Sequence, residues 1–251
     1  MAAEPRAPDS SFWVEPEGLD GDTLRLTDEE SHHLLRVFRA APGALFQATD
    51  GRGMTFDCLL VSGARGRAVG RVTARRPGAG ELPVPLCIMA GLPEPAAAEE
   101  LVIRAVPLGA THILFFRAER SERWRPIPAR LARLERLARA ALKQSRRSRL
   151  PCIQFAAGPE EAIEAAPEGS RHVADPDGGS WSEVEVSGAS GGAVLGVGPP
   201  GGLAEREKAL FVRGGFSGIC LGPSRLTTQD AASAMLALAR ERILWGWRGR
   251  D

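Results

Sequence analysis

Lysine is nearly absent from this chain of 251 residues. It occurs only at Lys143 and Lys208, so arginine carries almost all of the positive charge. Arginine's planar fork suits phosphate recognition, and a GC-rich coding bias is the blander cause. Cysteine is also scarce: Cys58, Cys87, Cys152 and Cys220 lie far apart. No spacing among them suits zinc, which argues against a cysteine metal site and for buried free thiols in a reducing compartment. No apolar run reaches the ~18 residues of a membrane span. Residues 1–10 lack the charged-then-apolar pattern of a secretion signal. The expectation is a soluble cytoplasmic protein, with neither a membrane nor a metal among its partners. Net charge is only +1.

What is present divides in two. After the Ala/Pro-rich residues 1–10, short strand candidates fall at 11–14, 23–26, 45–48, 55–61 and 68–73, separated by Gly turns. Between them Thr27 caps an acidic first turn and starts a helix carrying His32 and His33. Short strands with Gly turns predict a small β-barrel domain over residues 1–80. From Pro85 onward apolar strands alternate with helices, at 86–90, 95–106, 111–116, 129–146, 152–155, 159–165 and 172–174. That alternation predicts a mainly parallel α/β domain over residues 81–251. Ser187–Gly192 reads as a loop, and a helix from about Gln229 to Trp247 closes the chain.

The second domain is organised around residues 193–228. Apolar runs at 194–197 and 219–221 each end in Gly-Pro, with a helical segment at 204–212 between them. This β–α–β pattern places both Gly/Pro loops at one edge of a sheet, the carboxyl edge where open α/β sheets bind ligands. Glycine lets backbone approach a ligand and proline stiffens the wall. Gly196-Val-Gly198-Pro-Pro-Gly201 matches a dinucleotide fingerprint in form only. Pro199 and Pro200 have no N–H for a pyrophosphate, and the ribose-binding acid about 20 residues on is missing. A ligand without pyrophosphate fits better than NAD.

Residues 117–149 hold twelve basic and three acidic residues. Arg133, Arg136, Lys143 and Arg147 have the spacing of one helix face, and Leu131, Leu134, Leu137, Ala138, Ala141 and Leu142 that of the opposite one. The pattern reads as a phosphate track for RNA, or as a solvated helix face.

Taken together, these motifs resemble the RsmE-type 16S ribosomal RNA uridine-N3 methyltransferases of the SPOUT (trefoil-knot) class. Ser31-His-His-Leu-Leu-Arg-Val-Phe-Arg39, Pro42-Gly43 and Asp50-Gly51 are similar to the family's PUA-type RNA-binding barrel. Pro107-Leu-Gly-Ala-Thr-His112, Arg120-Ser121, Ala140-Ala-Leu-Lys-Gln-Ser145, Gly198-Pro-Pro-Gly-Gly202 and Leu221-Gly-Pro223 with Leu226 follow its later motifs in order. The resemblance implies a knotted C-terminal domain, a homodimer, and S-adenosylmethionine (SAM) held in the knot loops. By position the cofactor residues would be Leu195, Gly196, Gly198, Pro199, Gly201, Gly202, Cys220, Leu221, Gly222, Leu226 and Thr228. A third wall would come from the loop after 172–174. The substrate would be ribosomal RNA in the small subunit, gripped by His32, His33, Arg36, Arg120, Arg136, Lys143 and Arg147.

The chain departs from the family at points of chemistry. Thr227 and Gln229 stand where the family has arginine and glutamate, Pro200 and Lys143 each replace a glutamate, and Glu94-Pro95 follows Leu-Pro where a lysine is usual. Methyl transfer to uracil N3 benefits from a base for the N3 proton and a cation at the carbonyl oxygens. Arg225 is the expected cation and Asp230 the expected base. An RNA-binding homologue with impaired or retargeted catalysis is the other reading of these departures.

Overall fold

A computed structural model describes residues 10–184 and 191–248. The expectations for residues 1–9, for most of the Ser187–Gly192 loop and for the Trp247 side chain fall outside the described positions. The chain divides into two compact units, Met1–Glu81 with Arg139–Leu150, and Leu82–Ala138 with Pro151–Asp251. A single cut after residue 80 misses the return of Arg139–Leu150 to the first unit.

The first unit is built on a six-stranded curled sheet. Its strands are β1 (Phe12–Trp13), β2 (Leu19–Asp20), β3 (Thr23–Arg25), β4 (Leu45–Thr49), β5 (Met54–Ser62) and β6 (Val69–Pro77), in the order β1-β4-β5-β6-β3-β2. In β5 the side chains of Phe56, Cys58 and Leu60 are buried and those between them are not, as a strand with one covered face requires. They join Phe12, Leu24, Leu34 and Phe46 in one core. Thr27 caps α1 (Asp28–His32), its hydroxyl accepting the Glu30 N–H, and one π-type turn over His33–Val37 follows. His33 stacks on Phe38 with ring centroids 5.1 Å apart.

The second unit is a six-stranded, wholly parallel sheet covered by helices. In chain order the elements are β7 (Leu86–Gly91), α2 (Pro95–Ala105), β8 (His112–Phe116), α3 (Pro128–Ser145), β9 (Cys152–Ala156), α4 (Pro159–Ala165), β10 (Ser170–Gly179), β11 (Ala193–Val197), α5 (Glu205–Arg213), β12 (Ser217–Ile219) and α6 (Thr228–Arg248). The second half of α3 belongs to the first unit. All six residues of β7 and all five of β11 are buried, the signature of strands covered on both faces. In α6, Ala232, Met235, Leu236, Ala239 and Ile243 form a buried helical stripe that packs on α2, β7 and β11. Trp245 on the same helix is exposed.

The strand order is β12-β10-β11-β7-β8-β9. The two strands flanking α5 run parallel with their Gly/Pro loops at one edge, and β10 lies between them. The last strand ends at Ile219 rather than 221. Cys58 and Cys87 are buried, and burial pushes both thiols up to about 12. Cys152 is exposed, against the expectation of buried thiols throughout.

Candidate active site

The carboxyl ends of β10, β11 and β12 face one cleft of about 560 Å³. Its walls are residues 173–176, 197–203 and 218–228 apart from Cys220, with contributions from Arg120, Glu205, Lys208, Val212 and Ala231. Two of the loops are laced together. The Thr228 hydroxyl donates to the Gly198 carbonyl at 3.0 Å, and Arg225 Nη2 donates to the Pro200 carbonyl at 2.9 Å. Within the first loop the Gly202 N–H donates to the Pro199 carbonyl at 2.8 Å. Below it the buried Glu207 carboxylate accepts the N–H groups of Ala204 and Glu119, each at 2.8 Å.

Glycine is required here by space and by conformation. A Cβ on Gly201 would lie 2.7 Å from the Cβ of Arg120, and Gly222 has φ +116° with open space around it. Among the described residues the amides of Leu221, Gly222, Ser224, Arg225 and Leu226 have no protein acceptor. The cleft is thus walled by apolar side chains and unengaged main chain. A nucleoside bearing a short amino-acid arm fits such a lining, with apolar walls for its base and backbone groups for its polar edges.

Of the predicted cofactor residues, Gly198, Pro199, Gly201, Gly202, Leu221, Gly222, Leu226 and Thr228 line the cleft. Leu195 and Gly196 do not: they are buried inside β11, where a Cβ on Gly196 would press on Phe211 and Val173 at about 3 Å. Cys220 also lies off the wall, its N–H donating to the Gly179 carbonyl at 2.9 Å. Arg120, expected on RNA, lines this cleft instead and donates to the Gly201 carbonyl at 3.2 Å.

Lys208 and Glu205 on the wall escaped the sequence reading, whereas Asp175 falls in the loop after 172–174 that was expected to add a third wall. Lys208 Nζ lies 3.6 Å from Asp175 and 3.4 Å from Glu205. Burial pulls the Lys208 ammonium down, but the two carboxylates outweigh it and hold its pKa above the ordinary value. Asp175 follows Ala174, where the regular pairing of β10 with β12 breaks, and its place on the wall depends on where β10 sits in the sheet.

A second cleft of about 420 Å³ shares Pro200, Arg225, Leu226, Thr227 and Thr228 with the first and adds Glu94, Ala97, Glu122 and Gln229. Arg225 therefore lines both clefts. Asp230 lines neither. Its carboxylate accepts the Thr227 hydroxyl at 2.7 Å, its N–H donates back to Thr227 at 3.2 Å, and Arg104 donates to it at 2.5 Å. Thr227 is the N-cap of α6, its hydroxyl accepting the Asp230 N–H and donating to the Asp230 carboxylate. The Thr227 bond and the Arg104 guanidinium keep the Asp230 carboxyl below its ordinary value. A carboxylate so engaged, and outside both clefts, is a poor proton acceptor, which corrects the role expected of it.

The basic stretch is also redistributed. Arg136 is exposed on α3, and His32 and Arg36 are exposed on the first unit. Arg133 is bound to Glu99 by two hydrogen bonds. Lys143 is mostly buried in an ion pair with Glu30, and Arg147, beyond the end of α3, is 2% exposed and paired with Glu81. A continuous phosphate track through Lys143 and Arg147 does not exist. His33 sits half-buried in the aromatic cluster rather than on an open face.

Two family models match the chain. That for the RNA methyltransferase domain covers residues 80–240, and that for the RNA methyltransferase PUA domain covers residues 26–73. Ribosomal RNA small subunit methyltransferase E of Synechocystis is 30% identical over 234 residues, spanning 89% of this chain and 75% of that protein. The protein of the same name from Mycobacterium tuberculosis is 27% identical over 233 residues, covering 90% and 88%. Among solved structures, ribosomal RNA small subunit methyltransferase E of Neisseria gonorrhoeae, bound to S-adenosyl methionine, superposes with a TM-score of 0.78 at 25% identity, covering 91% of this chain and 95% of that one. A probable rRNA-methyltransferase from Porphyromonas gingivalis gives 0.77 at 28% identity, covering 96% and 100%.

Proposed function

The chain belongs to the RNA methyltransferase family with an N-terminal PUA domain, and from this premise we propose that it transfers a methyl group from SAM to N3 of a uridine in 16S ribosomal RNA. The observation that carries the reading is the backbone-walled cleft beside a second, more polar cleft, with Arg225 on the shared wall. SAM supplies a methyl group already activated as a sulfonium, so the protein's task is alignment and charge control. Gly198, Gly201, Gly202, Leu221, Gly222, Leu226 and Thr228 hold the nucleoside, and Asp175 and Glu205 are the acids on the same wall that could accept from its ribose hydroxyls. Arg225 spends one N–H on Pro200 and keeps others to steady charge on a uracil carbonyl oxygen.

The barrel of residues 1–80 grips RNA with His32 and Arg36, and Arg136 adds a phosphate contact from the domain of residues 81–251. A cytoplasmic homodimer completes the reading. Exposed Ile103 and Trp245, on the packed helices α2 and α6, support a face between copies, and sedimentation velocity tests it.

The deciding experiment is transfer from labelled SAM to small ribosomal subunits, with the modified nucleotide mapped. Methyl at a uridine N3 supports the reading. SAM binding without transfer points instead to a homologue that keeps the fold and has lost the reaction, in line with Thr227 and Gln229 at positions where the family carries arginine and glutamate.

A further inference from the structure

We propose that Glu94 takes the N3 proton from the target uracil and thereby selects uracil over cytosine; this rests on the uridine-N3 reading above. Uracil N3 carries a proton at neutral pH, and it must leave as the N–CH₃ bond forms. Arg225 cannot accept it, and Asp230 is committed to Thr227 and Arg104. The second cleft holds two other carboxylates, Glu94 and Glu122. Neither takes part in a hydrogen bond or ion pair among the described residues.

Glu94 is the better placed by its backbone. It occupies the N-cap of α2 with φ −55° and ψ 153°, yet its side chain does not cap the helix. Pro93 and Pro95 flank it: Pro95 restricts Glu94 to this form, and Pro93 fixes its own φ just before it. The loop is braced by the Glu122 N–H on the Leu92 carbonyl at 3.1 Å and by Trp124 Nε1 on the Pro93 carbonyl at 2.5 Å. It also abuts the cofactor loop, because a Cβ on Gly91 would lie 2.4 Å from the nitrogen of Pro199. The geometry is a stiff arm, anchored against the first cleft, that carries Glu94 on the wall of the second.

The chemistry balances with no further reactant. The N3–H bond breaks and its proton passes to a Glu94 oxygen. N3 gains the methyl group through its own electron pair, while the pair of the broken C–S bond stays on sulfur as a neutral thioether. Glu94 later releases the proton to water. Uracil presents two carbonyl oxygens around one N–H, which match Arg225 and Glu94 respectively. Cytosine has a lone pair at N3 instead and would face the carboxylate acceptor to acceptor.

The test compares wild type, Glu94→Gln and Glu122→Gln. Calorimetry should show SAM bound equally by all three. Single-turnover methylation by Glu94→Gln should fall roughly 10²- to 10⁴-fold at neutral pH, the usual contribution of a positioned base. The deficit should shrink as pH rises toward the ionisation of uracil N3–H itself. A merely structural role would give a deficit independent of pH. Fluorescence anisotropy without methyl donor should show wild type preferring an oligoribonucleotide with uridine at the target over one with cytidine, and Glu94→Gln losing that preference. Glu122→Gln, in the wall of the same cleft, should reproduce neither the pH-dependent deficit nor the loss of uridine preference. A Glu94→Gln enzyme that matches wild type, a pH-independent deficit, or the predicted pattern in Glu122→Gln would each overturn the assignment. A wild type that binds SAM but transfers no methyl group would overturn the reading beneath it, and this proposal with it.

Discussion

Glu81 and Arg147 are joined in the first unit by a two-point ion pair, with Glu81 Oε2 2.5 Å from Nη2 and 3.2 Å from Nε. The other carboxylate oxygen accepts the N–H groups of Ser148 and Arg149 at 2.9 and 2.8 Å. One carboxylate thus ties the end of the first unit's own sequence to the returning segment that follows α3. Glu81→Ala leaves a buried guanidinium without this counter-charge and should cost about 3–5 kcal/mol. Chemical denaturation measures the loss, and faster amide exchange at Ser148 and Arg149 localises it.

The Asp230 carboxyl titrates below its ordinary value because of Thr227 and Arg104. A carboxylate depressed in the folded state contributes stability that is present above the ordinary aspartate value and is lost as pH falls through the folded one. Asp230→Asn should therefore flatten part of the acid limb of thermal stability while leaving SAM affinity within a few-fold. A melting series from neutral to acidic pH checks the first point and calorimetry the second.

Gly222 has φ +116° and no heavy atom near the place a Cβ would occupy. The cost of Gly222→Ala is then conformational, roughly 1–3 kcal/mol of strain or a reshaped loop. SAM affinity should weaken about 5- to 100-fold, with little change in the rest of the fold. Calorimetry reads the affinity, and circular dichroism confirms the fold.

Arg136 and Lys143 should respond oppositely. Arg136 is exposed, so Arg136→Ala should reduce the dependence of log affinity for RNA on log salt by about one contact's worth. Lys143 is paired with the buried Glu30, so Lys143→Met should lower thermal stability and leave that slope unchanged. Filter binding across a salt series separates the two.

Much of this fold was legible because its strands are marked by composition. The runs at 86–90, 111–116 and 194–197 became β7, β8 and β11 within a residue or two at either end. The insertion of β10 between β11 and β12 was not legible, since apolar content says where strands are and not how they are ordered. The Gly/Pro loops of Gly198, Gly201 and Gly222 stood out because close approach, as at Gly201, and a positive φ, as at Gly222, both call for glycine. The pairing of Lys208 with Asp175 did not, because it depends on that strand order. Arg147 misled because a count of charges cannot see Glu81, 66 residues away. Asp230 misled because a first-turn acid that braces a helix cap and an acid that moves a proton look alike in a sequence.

The position of β12 at the margin of the sheet, alongside β10, has a consequence for biosynthesis. Among the described residues its three are the last strand in chain order, and the wall at 221–228 cannot be set until they dock. A nascent chain that has already assembled the other five strands still lacks one side of the cleft. Competence to bind the methyl donor therefore waits on the docking of β12, and ligand binding doubles as a report that this strand is in place.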